Sequence, residues 1–141
     1  EVANHSWSHP ELTALSSEDV AWQINSTNDA IESATGIRPT ILRPPYGAWN
    51  DAVLAAANMP EILWSIDTND WQKPGDASLI SQVVDGSYPG AIVLMHDIHE
   101  TTTRTVSSMF TPLQQRGFTL VTVEQLYNGG PTEVAVYYGL D

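Results

Sequence analysis

Short apolar runs alternate with helix-forming segments along this 141-residue chain, and that alternation limits the folds open to it. Thr40-Ile41-Leu42, Ile62-Leu63-Trp64-Ser65-Ile66, Ala91-Ile92-Val93-Leu94-Met95 and Phe118-Thr119-Leu120-Val121 each read as a strand. Ser16-Ser17-Glu18-Asp19 reads as a capped helix start, and Val20, Ile24, Ile31 and Ala34 then recur at helical spacing up to Gly36. Further helices are predicted from about Asn50 to Ala57, from an Asp76 cap through Leu79, Ile80, Val83 and Val84, around Val106 to Arg116, and from a Thr122 cap to Tyr127. Strands separated by helices pair in parallel, which leaves an α/β barrel or an open doubly wound sheet.

In both architectures chemistry gathers at the carboxyl ends of the strands. Arg43 follows the first strand directly, Asp67 the second and His96 the third. Three ionisable residues at three strand ends are expected to share one mouth.

The four histidines fall in two short segments, His5-Ser6-Trp7-Ser8-His9-Pro10 and His96-Asp97-Ile98-His99. Imidazoles four residues apart lie on one side of a helical turn and can reach one cation. Zinc takes histidine nitrogens, often with a carboxylate as third ligand. A lone histidine is more often a structural core residue. An HxxxH segment with Ser6 at its second position does not read as a metalloprotease, whose glutamate there is the base.

Composition narrows the partners. The net charge of −12, with only five Lys and Arg, argues against nucleic acid, which requires clustered positive charge. No apolar run approaches the roughly 20 residues of a membrane span. The absence of cysteine excludes a disulfide scaffold and a thiol nucleophile. The opening Glu1-Val2-Ala3-Asn4 lacks methionine and runs straight into the first histidine segment, as the middle of a domain would. A signal peptide or anchor would lie upstream.

His5-Ser6-Trp7-Ser8-His9-Pro10, Arg43-Pro44-Pro45-Tyr46-Gly47, Asp67-Thr68-Asn69-Asp70-Trp71 and Leu94-Met95-His96-Asp97 together resemble four consecutive motifs of the polysaccharide deacetylases. These are the NodB-homology enzymes of carbohydrate esterase family four. Order and spacing both match, over about residues 1–127. The resemblance implies an α/β fold, an irregular barrel of parallel strands and helices. It also exposes a gap. The family's first motif, Thr-Phe-Asp-Asp-Gly, is absent, and it carries the catalytic base and the third metal ligand, both aspartates. Asp19 and Asp29 sit on a helix after the histidine motif and are poor substitutes. The expectation is an incomplete barrel, the larger C-terminal part of the catalytic domain. Its first strands and both aspartates would come from an N-terminal segment present as a separate chain, so residues 1–141 should neither fold nor act alone.

By resemblance, His5 and His9 hold one divalent metal ion, zinc first, with cobalt or nickel as alternatives. Such an ion polarises the acetyl carbonyl and lowers the pKa of water. The backbone N–H of Tyr46 joins it at the oxyanion. His96 protonates the leaving amine with Asp70 as its carboxylate partner, Trp71 and Leu94 wall a slot for the acetyl methyl, and Arg43 orients the absent base aspartate. Plainer roles stand beside these. Arg43 would pair with Asp51 at the surface, Trp71 and Leu94 would be core, and Asp67 would only cap its loop. His99 would be an exposed loop residue rather than a substrate contact. Trp7, Tyr46 and Trp49 would stack on sugar rings or serve the core.

The reading that results is a metal-dependent hydrolase removing acetyl groups from a carbohydrate polymer, first N-acetylglucosamine of peptidoglycan. Chitin deacetylase and acetylxylan esterase are the alternatives within the class, and a catalytically dead carbohydrate-binding module is the alternative outside it. The implied location is extracellular or at the cell surface. Residues 1–128 would be the partial catalytic domain. Residues 129–141 would be a tail or an added strand, Val134-Ala135-Val136-Tyr137-Tyr138.

Overall fold

The computed structural model describes residues 1–140; Asp141, the end of the expected tail, lies outside the described residues. In chain order the helices are α1 (Ser17–Thr35), α2 (Asp51–Ala57), α3 (Asp76–Gly86), α4 (Glu100–Gln115) and α5 (Val123–Leu126). The strands are β1 (Glu61–Ile62), β2 (Ile66–Asp67), β3 (Val93–Leu94) and β4 (Val136–Tyr137). They fall into two units, one of Glu1–Leu63 with Tyr127–Tyr137 and one of Trp64–Leu126 with the residues from Tyr138 on. Every paired strand named here is parallel to its partner. Among the described residues no helix is long and apolar enough to cross a membrane.

In the first unit, backbone capping sets the helix bounds. The Ser16 hydroxyl accepts the Asp19 N–H at 3.1 Å, and Gly36 closes α1 in the left-handed region at φ 77°. Asn50 caps α2 by accepting the Val53 N–H at 2.9 Å. Val20 and Ile24 of α1 then bury against Leu12, Leu42, Val53, Ala57 and Met59. Burying a side chain of this size is worth about 1.5–3 kcal/mol. Beneath the helices the chain runs in parallel at Asn4, Leu42, β1 and β4. The expected strand at 40–42 is only a bridge at Leu42. On one side the Leu42 N–H donates to the Pro60 carbonyl at 2.9 Å and the Ile62 N–H to the Leu42 carbonyl at 2.7 Å; on the other the Asn4 N–H donates to the Ile41 carbonyl at 3.0 Å and the Arg43 N–H to the Asn4 carbonyl at 2.9 Å, before Pro44 removes the next donor.

In the second unit, β2 and β3 pair with Ile66 opposite Val93 and Asp67 opposite Leu94. Leu79 and Val83 of α3 pack on Met109 and Leu113 of α4. An exposed ion pair joins Arg104 of α4 to Asp76 at 2.5 Å, where solvent screens it. Asp76 therefore opens α3 as its first residue, while the position before it, Gly75, makes no side-chain cap. Gly90 sits at φ 86°, and a Cβ there would come within 2.7 Å of the Leu140 carbonyl oxygen, so the close approach of the chain end requires glycine.

Three further sequence expectations change. The run 62–66 is two strands: β1 pairs with β4, and β2 pairs with β3. The segment 118–121 is not a strand. The Phe118 N–H bonds back to the Leu113 carbonyl at 3.1 Å after Gly117 turns left-handed, and the Phe118 ring packs on the α3/α4 core as the apolar contact of a helix stop. Helix α4 begins at Glu100 rather than near Val106.

Candidate active site

The first histidine segment is a loop, not a helical turn. Ser6 and His9 take left-handed φ values of 68° and 58°. Helix α1 holds this strained loop from below. The buried Gln23 amide oxygen accepts the Trp7 and Ser8 N–H groups at 2.8 and 2.9 Å, and its nitrogen donates to the Ser8 hydroxyl at 2.8 Å. The buried Asn4 oxygen accepts the Ser6 N–H at 2.8 Å, while its nitrogen donates to the Ile24 carbonyl and to Asn28. The result brings the two imidazoles edge to face, with centroids 4.9 Å apart.

The two imidazoles are donors of the kind a transition-metal ion takes. His5 Nδ1 lies 2.5 Å from the Arg43 carbonyl oxygen, which fixes the proton on Nδ1 and leaves Nε2 as the basic nitrogen. A fixed tautomer of this kind is the usual support for a metal-ligating histidine. Among the described residues no third histidine or carboxylate completes a ligand group with them.

Tyr46 packs its ring on His9, centroids 4.8 Å apart, and is 69% exposed, so it has no core role. Its backbone is left-handed at φ 61°, strained for a tyrosine. Arg43 does not pair with Asp51. Its guanidinium turns inward and donates to the Ile62 and Leu63 carbonyls at 3.3 and 3.4 Å. Burial lowers its pKa without discharging it.

In the second unit His96 follows β3 directly, and Asp70 sits in a short helical turn after β2. The Asp70 carboxylate is fully buried and grips His96 twice. Oδ1 lies 2.7 Å from His96 Nδ1, and Oδ2 accepts the His96 backbone N–H at 2.6 Å. The Thr102 hydroxyl of α4 donates to the same Oδ2 at 2.7 Å. Burial pushes the Asp70 carboxyl up, but the bonds from the His96 ring, the His96 N–H and Thr102 outweigh it, and its pKa falls below the ordinary aspartate value. It is an anion that accepts from three donors, one at Oδ1 and two at Oδ2.

Neighbouring positions separate into site and scaffold. Leu94 is buried beside His96 in sequence, whereas Trp71 is 56% exposed and is not core. Asp67 only turns its loop, accepting the Asn69 N–H at 2.9 Å. His99 is no loose surface residue. It is half-buried, stands at the head of α4, and sets its ring 5.9 Å from that of His96. Trp7 and Trp22 meet edge to face at 6.2 Å and both remain exposed, and Trp49 is at the exposed margin.

The profile of the polysaccharide deacetylase family matches residues 1–62. A peptidoglycan-N-acetylglucosamine deacetylase, PgdA of Listeria monocytogenes, is 43% identical over 127 residues, covering 90% of this chain and 27% of that protein. The chain thus spans about a quarter of the length of that relative. The solved structure of T48 deacetylase with substrate superposes at a TM-score of 0.91 with 36% identity, over 97% of this chain and 69% of that one. The chain belongs to the polysaccharide deacetylases. The family also contains a protein described as a CE4 pseudoenzyme, BA3943 of Bacillus anthracis. It is 34% identical at a TM-score of 0.87, over 98% of this chain and 50% of that one. The α/β architecture with parallel strands is that of deacetylase structures.

Several residues that hold these side chains in place were not singled out from the sequence. Gln23 and Asn28 occupy the stripe of Val20 and Ile24 on α1, and Thr102 occupies the stripe of Thr105, Met109 and Leu113 on α4. A polar residue inside an apolar stripe is the signal that marks them, since a buried polar group needs a partner.

Proposed function

We propose that this chain carries the histidine machinery of a metal-dependent deacetylase that hydrolyses the acetyl group of N-acetylglucosamine in peptidoglycan. The observation that carries the reading is the double grip of a buried, ionised Asp70 on His96. A carboxylate on Nδ1 fixes the ring tautomer and balances the charge of an imidazolium, so Nε2 is the atom that delivers a proton. Water gives one proton to the base carboxylate as its oxygen adds to the acetyl carbonyl, the C–N bond breaks, and His96 gives its Nε2 proton to the departing sugar nitrogen. The products are acetate and a free amino sugar.

His5 and His9 would hold one divalent ion, with zinc favoured by two imidazoles and a carboxylate. When bound, that ion supplies Lewis-acid activation of water and of the acetyl oxygen. The reading requires the base and the third ligand to be carboxylates from outside these 141 residues. It also takes the family's irregular barrel as the complete architecture. The Tyr46 backbone N–H is assigned to the acetyl oxygen, Arg43 to orienting the base, and Trp71 with Leu94 to the acetyl methyl. Peptidoglycan is preferred because the Listeria relative is named for N-acetylglucosamine of that polymer. Such a substrate places the protein outside the cell or at its surface.

The pseudoenzyme in the family favours a second reading, a carbohydrate-binding module without turnover. Acetate release by the complete protein separates the readings. The expected order of kcat/KM is peptidoglycan glycan strands above chitooligosaccharides, and both above acetylxylan. A leading rate on acetylxylan would move the assignment to an ester substrate. Glycan binding without acetate release from any of the three would establish the binding module.

A further inference from the structure

Helix α4 begins at Glu100 and carries Thr101, Thr102, Thr103 and Thr105 in its first turns. Threonine in a helix commonly returns its hydroxyl proton to a carbonyl three or four residues earlier. Thr105 does so, donating to the Thr101 carbonyl at 2.6 Å, and Thr103 donates to the Glu100 carbonyl at 3.1 Å. Thr102 behaves differently. It is buried, and its hydroxyl proton goes to Asp70 Oδ2 at 2.7 Å. An ionised carboxylate only accepts, so the direction of this bond is fixed.

Both other donors to Asp70 come from one residue, the ring and the backbone of His96. Thr102 alone ties the carboxylate to a different element, α4. A carboxylate held only by the residue it must orient can move together with that residue. A donor on a helix packed into the core through Met109 and Leu113 removes that freedom.

We propose that Thr102 is a positioning residue that locks the Asp70 carboxylate in the orientation that presents Oδ1 to His96 Nδ1. Thr102 is buried and acts through Asp70. The inference rests on His96 being the proton donor of the proposed deacetylation.

The test uses the complete protein with Thr102→Val, which keeps the shape and removes the hydroxyl, and Thr102→Ser, which keeps the hydroxyl. Two readouts are needed: kcat and KM for acetate release, and the NMR signal of the His96 Nδ1 proton. Thr102→Val is expected to lower kcat roughly tenfold, the scale of one hydrogen bond to a charged group, with KM unchanged. The Nδ1 proton signal should broaden through exchange with water. Thr102→Ser should restore both. Thr102→Ala should match valine, and it takes valine's place if that variant does not fold. A valine variant with unchanged kcat and an intact Nδ1 signal would overturn the proposal, as would a serine variant as impaired as valine. If the wild-type protein releases no acetate, the deacetylase reading fails, and the Nδ1 signal across the same variants still decides the role of Thr102.

Discussion

His96→Ala in the complete protein is expected to lower kcat for acetate release by roughly 10²–10⁴-fold, the range supplied by a positioned general acid. Metal content should not change, because the metal is assigned to His5 and His9, in the other unit of the chain. The size of the effect follows from the leaving group. An amide nitrogen departs poorly unless protonated, and His96 is the residue whose ring is oriented for that task by a buried anion. Asp70→Asn should also lower kcat, since an amide neither balances an imidazolium nor accepts at both of its terminal atoms. Full activity in His96→Ala would remove the general acid from this mechanism.

Replacing Glu61 should change how stability depends on pH. Its side chain is fully buried on β1, and neither carboxylate oxygen has a hydrogen-bond partner. Burial pushes its pKa from 4.5 up to about 7. The folded state therefore binds a proton that the unfolded state releases between those values, and stability falls as pH rises through that window. The loss is about 3 kcal/mol, from about 1.36 kcal/mol for each pH unit between the unfolded and folded pKa. Glu61→Gln cannot ionise. Its stability relative to wild type should improve by that amount between pH 4.5 and pH 8, as measured by denaturant unfolding at each pH. A constant difference between the two proteins would contradict the assignment. Asp70 acts in the opposite sense. Its depressed pKa adds stability that is present at neutral pH and lost as pH falls below the ordinary aspartate range.

The helices were legible where local chemistry marks them. Ser16 and Gly36 bound α1, and Asn50 stands before α2, because caps act within a few residues. The start of α4 was not legible, since its first turn is rich in threonine, a β-branched residue that reads poorly as helix. Strand extents were not legible either. Pairing depends on a partner far along the chain, and Ile62 and Ile66 find different ones.

At the site, the residue types were readable and their support was not. His5 and His9 stand out by spacing, but their loop geometry depends on Gln23 and Asn4, whose role appears only once α1 is folded against them. His96 stands out as a residue after a strand, and Asp70 through the motif it shares with Asp67. The donation from Thr102 crosses 32 residues and leaves no local mark.

The most direct measurement is acetate release by the complete protein after chelation and again after zinc is restored, in wild type and in His5→Ala and His9→Ala. The account predicts loss of activity on chelation, recovery with zinc in wild type, and no recovery in either variant. Undiminished acetate release from the chelated wild-type protein would contradict it.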